Sequence, residues 1–172
     1  ANMLVALNAL GTPAQLLAKI GDDERGQLFR KTLRADGIED NLLLVKSGGT
    51  TLHTYIWAAA DGQHCIFVNL GDSLMELQPE EIDEAVLDGI DLFYADFFPG
   101  AATVAMAQRS RQRGIPVVLC MQCTPSFMRM AGNTDEQIDA ALALADLIIS
   151  GRDGYCEWSG ISDYQQALAA VY

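Results

Sequence analysis

Hydrophobic and polar positions fall into three textures along the chain. In the first forty residues, Met3 to Leu10 is an apolar segment at helical spacing ended by Gly11, Gln15 to Ile20 reads as a buried strand, and Arg25 to Ala35 has helical periodicity ended by Gly37. Residues 41–70 change to β-structure: Leu42 to Val45, Thr50 to Ala58 and His64 to Asn69 carry β-branched and aromatic residues, with a hairpin turn at Asp61-Gly62. Period two puts His53, Tyr55 and Trp57 on one face and Thr54 and Ile56 on the other, so the aromatic stripe is expected to pack or to form an interface. From residue 79 the pattern becomes βα alternation. Pro79 opens an expected helix with Ile82, Ala85 and Val86 on one face, and strands at Leu92 to Ala95, Val117 to Cys120 and Leu147 to Ser150 alternate with helices near 101–113 and 134–145. Capping boxes are expected at Thr134 with Gln137 and at Ser162 with Gln165. Short apolar strands without polar alternation predict an α/β fold whose central parallel sheet is covered by helices, with a β-rich insertion at about 42–70.

Composition narrows the picture. At 172 residues, half of them hydrophobic and a fifth charged, the chain suits one folded domain with a small subdomain rather than a disordered or fibrous protein. A formal charge of −12 argues against nucleic acid, which is bound through clustered Lys and Arg. No apolar run reaches the roughly 18 residues that span a bilayer, and Ala1-Asn2-Met3-Leu4 lacks the basic start of a signal peptide, so a cytoplasmic protein without membrane partners is expected. In that compartment Cys65, Cys120, Cys123 and Cys156 are read as reduced thiols. Cys120 and Cys123 have CxxC spacing but no second pair and no histidine close in sequence, so neither metal nor disulfide is expected there.

In open α/β sheets ligands bind beyond the carboxyl ends of the strands. The residues in such places are Gly21-Asp22-Asp23, Asp96-Phe97-Phe98-Pro99, Cys120 to Thr124, and Ser150 to Asp153. Asp96 is suited either to accept a hydrogen bond from a sugar hydroxyl or to cap the next turn, while Asp22 and Asp23 suit the cap of the helix that follows them. Neither a GxxxxGK[ST] loop nor a GxGxxG follows any strand, and two histidines are too few for a Ser/His/Asp or metal constellation.

The order of motifs is distinctive. Asn2, Gly11 and Gly21 are followed by Lys19-Ile20-Gly21-Asp22-Asp23-Glu24-Arg25-Gly26 and by Leu33 with Gly37-Ile38. This run resembles the "VGxDxxGxxxxxxLxxxGV" segment of ribokinase-like (PfkB family) carbohydrate kinases. Thr50-Thr51, Asp61-Gly62 and Asn69-Leu70-Gly71-Asp72-Ser73 are similar to that family's lid strands, hairpin and exit, so the resemblance covers nearly the whole chain.

The resemblance implies transfer of the γ-phosphoryl of ATP to a sugar hydroxyl with Mg²⁺, under a small β-sheet lid that in many members also forms a homodimer interface. It places Asn2 at the end of the sugar-binding glycine motif and Thr54 on a lid strand bordering the sugar. Ser150 and Asp153 fall on the N-x-x-E motif that organises Mg²⁺ and phosphate, with Asp153 as the metal-side carboxylate. Three departures stand out: Leu4 replaces a residue that is usually small, Cys120 replaces a common Asp or Asn, and Ser150-Gly151-Arg152-Asp153 keeps only the polar and acidic character of N-x-x-E. The resemblance further implies that a first strand with a sugar-binding Asp precedes Ala1, and that the "GAGD"-like segment with the catalytic base follows Tyr172, so these residues hold no catalytic base. A non-catalytic sugar- or nucleoside-binding α/β domain is the alternative.

Overall fold

The structure, a computed structural model, describes residues 2–170. It divides into two compact units, Ala1–Leu77 and Gln78–Tyr172. No helix among the described residues is long and apolar enough to cross a membrane.

In the first unit, α1 (Asn2–Ala9) is followed by β1 (Ala18–Gly21), α2 (Glu24–Ala35) and β2 (Leu43–Lys46). β1 is shorter than its apolar pattern because only four residues find a partner, Ala18 to Gly21 against Leu43 to Lys46 in parallel. Leu4, Ile20, Leu33, Ile38 and Leu43 form the core. The stop of α2 follows from its sequence: Gly37 takes φ +72°, and the Ile38 N–H returns to the Leu33 carbonyl at 2.9 Å. Just beyond, the Asp40 carboxylate meets Arg34 and Arg30, which hold its pKa down to about 2. The parallel partnership of β2 narrows the antiparallel part of the insertion to one hairpin, β3 (His53–Ala58) and β4 (His64–Asn69), turned at Asp61-Gly62 with Gly62 at φ +86°.

The second unit opens differently from the helix expected at Pro79. Two 3-10 turns, Pro79–Glu81 and Glu84–Leu87, stand there instead. Ile82 and Asp83 between them are extended, and the Asp83 side chain accepts from the Ala85 N–H, starting a new turn rather than continuing the first. Ile82 and Leu87 still reach the interior. Regular alternation follows: β5 (Phe93–Asp96), α3 (Gly100–Gln112), β6 (Val117–Met121), α4 (Pro125–Met130), α5 (Asp135–Leu144), β7 (Leu147–Ser150), α6 (Arg152–Ser159) and α7 (Tyr164–Ala170).

The three strands are parallel in the order β5-β6-β7. Val117, Leu119 and Met121 of β6 point to the face where Ala107 of α3, Met128 of α4, and Ile138, Ala141 and Leu142 of α5 close the core over Phe97. On the other face, Leu147 and Ile149 remain exposed. The Thr134–Gln137 capping box forms as expected. At α7 the cap moves one residue along: Asp163, not Ser162, accepts from the Gln166 N–H at 2.9 Å. The sequence reading missed α4 and α6, although Thr124-Pro125 carries an N-cap and an N1 proline, and the Thr124 hydroxyl does accept from Phe127.

Candidate active site

In the first unit the turn between β1 and α2 is the anchor of the hairpin. The Asp23 carboxylate caps α2 through the Gly26 N–H at 2.8 Å and accepts from the Thr51 hydroxyl at 2.6 Å and the Thr51 N–H at 3.0 Å. The buried Thr51 hydroxyl accepts in turn from the Gly21 N–H at 2.9 Å. Asp23 is held below the usual carboxylate range chiefly by that hydroxyl and further by the two backbone donors, which outweigh partial burial. On the return strand, Asp72 accepts from the Thr50 N–H at 2.7 Å and Ser73 donates to the Thr50 carbonyl at 3.0 Å. Both legs of the hairpin are thus tied to the same point of the α/β layer. Sequence reasoning identified Asp23 as a helix cap but not its second duty toward Thr51, because that partner lies 28 residues away.

Beyond this anchor the hairpin has two exposed faces. Thr54, Ile56 and Ala58 lie beside Val68, Ile66 and His64, while His53, Tyr55 and Trp57 lie beside Asn69, Phe67 and Cys65. On the aromatic side His53 meets Tyr55 edge-on at 5.4 Å, Trp57 meets Phe67 at 5.8 Å, and the Arg25 guanidinium stacks over Tyr55 at 5.2 Å while donating to its hydroxyl. Trp57 is nonetheless 74 % exposed and Ile56 on the opposite face 59 %. Asn2, at the start of α1, and Thr54 are both exposed.

In the second unit the candidates do not share a face. Asp96 ends β5 directly beside Cys120, whereas Ser150 ends β7 beside Met121, so the pleat sends Asp96 and Ser150 to opposite sides of the sheet. Ser150 turns its hydroxyl to backbone, toward the Met121 carbonyl at 3.3 Å and that of Gly151 at 3.1 Å. Gly154 packs against it, since a Cβ there would stand 2.2 Å from the Ser150 hydroxyl. Asp153 is exposed in the first turn of α6. Among the described residues no group of three or more His, Cys, Asp or Glu is placed to hold a metal ion.

Asp96 is the most distinctive of these groups. Burial raises its carboxyl above the usual range, opposed in part by backbone hydrogen bonds, the foremost a long one from the Phe98 N–H at 3.4 Å. By accepting from the Phe98 N–H it does cap the turn that follows, although the N-cap of α3 itself is Pro99. Its neighbours are also desolvated: burial, with the Asp96 charge adding to it, pushes the Cys123 thiol up to about 11, and burial together with a hydrogen bond to Cys120 pushes Tyr94 up to about 12. A thiol so raised is a poor nucleophile and a poor metal ligand at neutral pH. The carboxyl end of β5 and β6 therefore presents one carboxyl group in a weakly solvated setting, where a hydroxyl donor would gain most.

The whole chain, residues 1–172, matches the model of the pfkB family of carbohydrate kinases. It is 28 % identical over 180 residues to an ATP-dependent ribose-1-phosphate kinase of Halopiger xanaduensis, covering 99 % of this chain and 57 % of that protein. Fructokinase-1 of Zea mays is 28 % identical over 95 residues, covering 55 % of this chain and 29 % of the enzyme. Among solved structures, a putative ribokinase II from E. coli superimposes with TM-score 0.80 at 18 % identity, covering 98 % of this chain and 56 % of that one. A fructokinase from Xylella fastidiosa with bound ATP gives 0.81 at 17 %, covering 99 % and 55 %. The chain thus spans just over half the length of the ribose-1-phosphate kinase and of these structures. Sequence match and fold agree over their common length: this chain belongs to the pfkB family of carbohydrate kinases.

Proposed function

We propose that the protein of which this chain is part transfers the γ-phosphoryl of ATP to a hydroxyl of a small sugar, and that these residues supply part of the sugar side and the lid. The observation that carries the reading is Asp96: a desolvated carboxyl at the carboxyl end of a parallel strand, within a chain that matches the kinase family throughout. Its role is to accept a hydrogen bond from a sugar hydroxyl and fix the orientation of the sugar, the kind of positioning on which phosphoryl transfer depends. Asn2 and Thr54 are assigned further sugar contacts, and Ser150 and Asp153 the nucleotide side.

The metal side is thin. Among the described residues no cluster of three or more His, Cys, Asp or Glu offers a metal site, and Asp153, in the first turn of α6, is the carboxylate assigned to Mg²⁺. The inward turn of the Ser150 hydroxyl favours the second reading, a domain that binds a sugar or nucleoside without turning it over. ADP release and calorimetric binding by the full-length protein, tested with D-ribose, ribose 1-phosphate, D-fructose and adenosine, separate the two. Sugar-dependent ADP release is expected; binding without release would establish the non-catalytic domain, and silence in both assays would defeat either reading.

The lid is proposed to pair with that of a second subunit. A two-stranded hairpin is marginal in water on its own, and this one exposes apolar side chains on both faces. Light scattering should give a dimer for the full-length protein and a monomer, or a weakened dimer, for Trp57→Ala. An unchanged dimer in that variant, with an unchanged thermal midpoint, would locate the interface elsewhere.

A further inference from the structure

The turn that carries Asp96 is held from behind by two buried side chains on other elements. Asn133, 5 % exposed, lies between α4 and α5 and bridges the turn: its amide donates to the Phe97 carbonyl at 2.6 Å, and its carbonyl oxygen accepts from the Gly100 N–H at 3.0 Å. Thr103, also 5 % exposed, sits in α3 and donates its hydroxyl to the carbonyl of Asp96 itself at 3.1 Å. The three backbone groups fixed in this way are the Asp96 carbonyl, the Phe97 carbonyl and the Gly100 N–H, leaving the segment little freedom to swing.

This has a chemical consequence. Among the described residues the Asp96 carboxylate accepts from backbone alone, a long hydrogen bond from the Phe98 N–H and one from its own N–H, and bonds so local follow the turn rather than define a direction of their own. Where the carboxylate points is therefore set by the backbone beneath it. We infer that Asn133 and Thr103 are positioning residues for the Asp96 carboxylate: they pre-order the turn in the conformation that receives the sugar hydroxyl, and act on sugar affinity through Asp96 alone. The inference rests on the proposed role of Asp96 as a sugar contact.

The test uses the full-length protein and calorimetric Kd values for whichever of D-ribose, ribose 1-phosphate or D-fructose it binds, so that the result does not depend on turnover. Thr103→Val keeps the shape of the side chain and removes only the hydroxyl. Asn133→Asp keeps the acceptor for Gly100 but faces the Phe97 carbonyl with an oxygen, and Asn133→Ser serves if that variant fails to fold. A single hydrogen bond lost from the supporting turn should weaken sugar binding by about 3- to 10-fold in Thr103→Val, with the Kd for ATP unchanged within twofold and the thermal midpoint close to that of the parent. Asp96→Asn should weaken sugar binding more, and adding Thr103→Val to it should cost nothing further, because the second residue acts only through the first.

Multiplicative losses in the double variant would overturn the inference, since they would mean that Thr103 acts independently of Asp96. So would a Thr103→Val protein whose sugar Kd stays within twofold of the parent. If Asp96→Asn itself binds the sugar normally, the role of Asp96 fails and the inference falls with it, a pattern distinct from either of the other two.

Discussion

Truncating Phe97 to alanine is expected to destabilise the second unit by about 3–5 kcal/mol, the cost of removing a large buried aromatic side chain. Phe97 is 1 % exposed and belongs to one buried cluster with Ala107, Val117, Leu119, Met121, Met128, Ile138, Ala141 and Leu142. Those neighbours belong to α3, β6, α4 and α5. A cavity bordered by four elements closes badly, because relaxing toward it would require each of them to move. The position also matters locally, since Phe97 follows Asp96 and its carbonyl is the acceptor for Asn133. Urea unfolding of parent and Phe97→Ala proteins, followed by far-UV circular dichroism, measures the loss. A change below about 1 kcal/mol would mean that Phe97 is not the core residue described, since even Ile→Val in a core commonly costs about that much.

Gly26→Ala should cost about 3 kcal/mol in the first unit, the upper end of what overpacking produces. Two effects of opposite sign meet here. Alanine is the better helix former by about 1 kcal/mol, and Gly26 lies in the first turn of α2, so propensity alone predicts stabilisation. The added Cβ, however, would stand 2.2 Å from the Gly21 carbonyl oxygen and 2.9 Å from the Thr51 hydroxyl. One of these is backbone and the other belongs to the Asp23–Thr51–Gly21 hydrogen bonds, so neither can retreat without breaking the anchor of the hairpin. The clash outweighs the propensity gain. Parent and Gly26→Ala proteins compared by thermal unfolding decide the sign: a midpoint equal to or above that of the parent would show that the close approach of β1 and the hairpin base does not exist.

Much of the architecture follows from the sequence because its signals are local. Gly37 ends α2 and Asp23 starts it through contacts within a few residues, and the capping box at Thr134 and Gln137 is complete within one turn. The parallel strands are legible because Phe93 to Ala95, Val117 to Leu119 and Leu147 to Ile149 are short apolar runs spaced for crossover helices. The family motif around Gly21 to Gly26 is legible for a related reason: each glycine and the aspartate answers a steric or hydrogen-bonding demand that admits almost no other residue.

What only the tertiary structure decided concerns partners distant in sequence. β2 looks like part of the insertion by composition, and its pairing with β1 across more than twenty residues assigns it to the parallel layer. The helix expected at Pro79 gives way to two turns, because the Asp83 side chain accepts from the Ala85 N–H in competition with the helical ladder, at a spacing that periodicity does not register. Asp96 and Ser150 both stand at strand ends and look equivalent in sequence; a difference of one residue in register puts them on opposite faces. Asn133 and Thr103 carry no local mark of their function at all. Their partners lie 36 and 7 residues away, and a hydrogen bond to a backbone carbonyl leaves no pattern in the partner's sequence, because every residue has a carbonyl to offer.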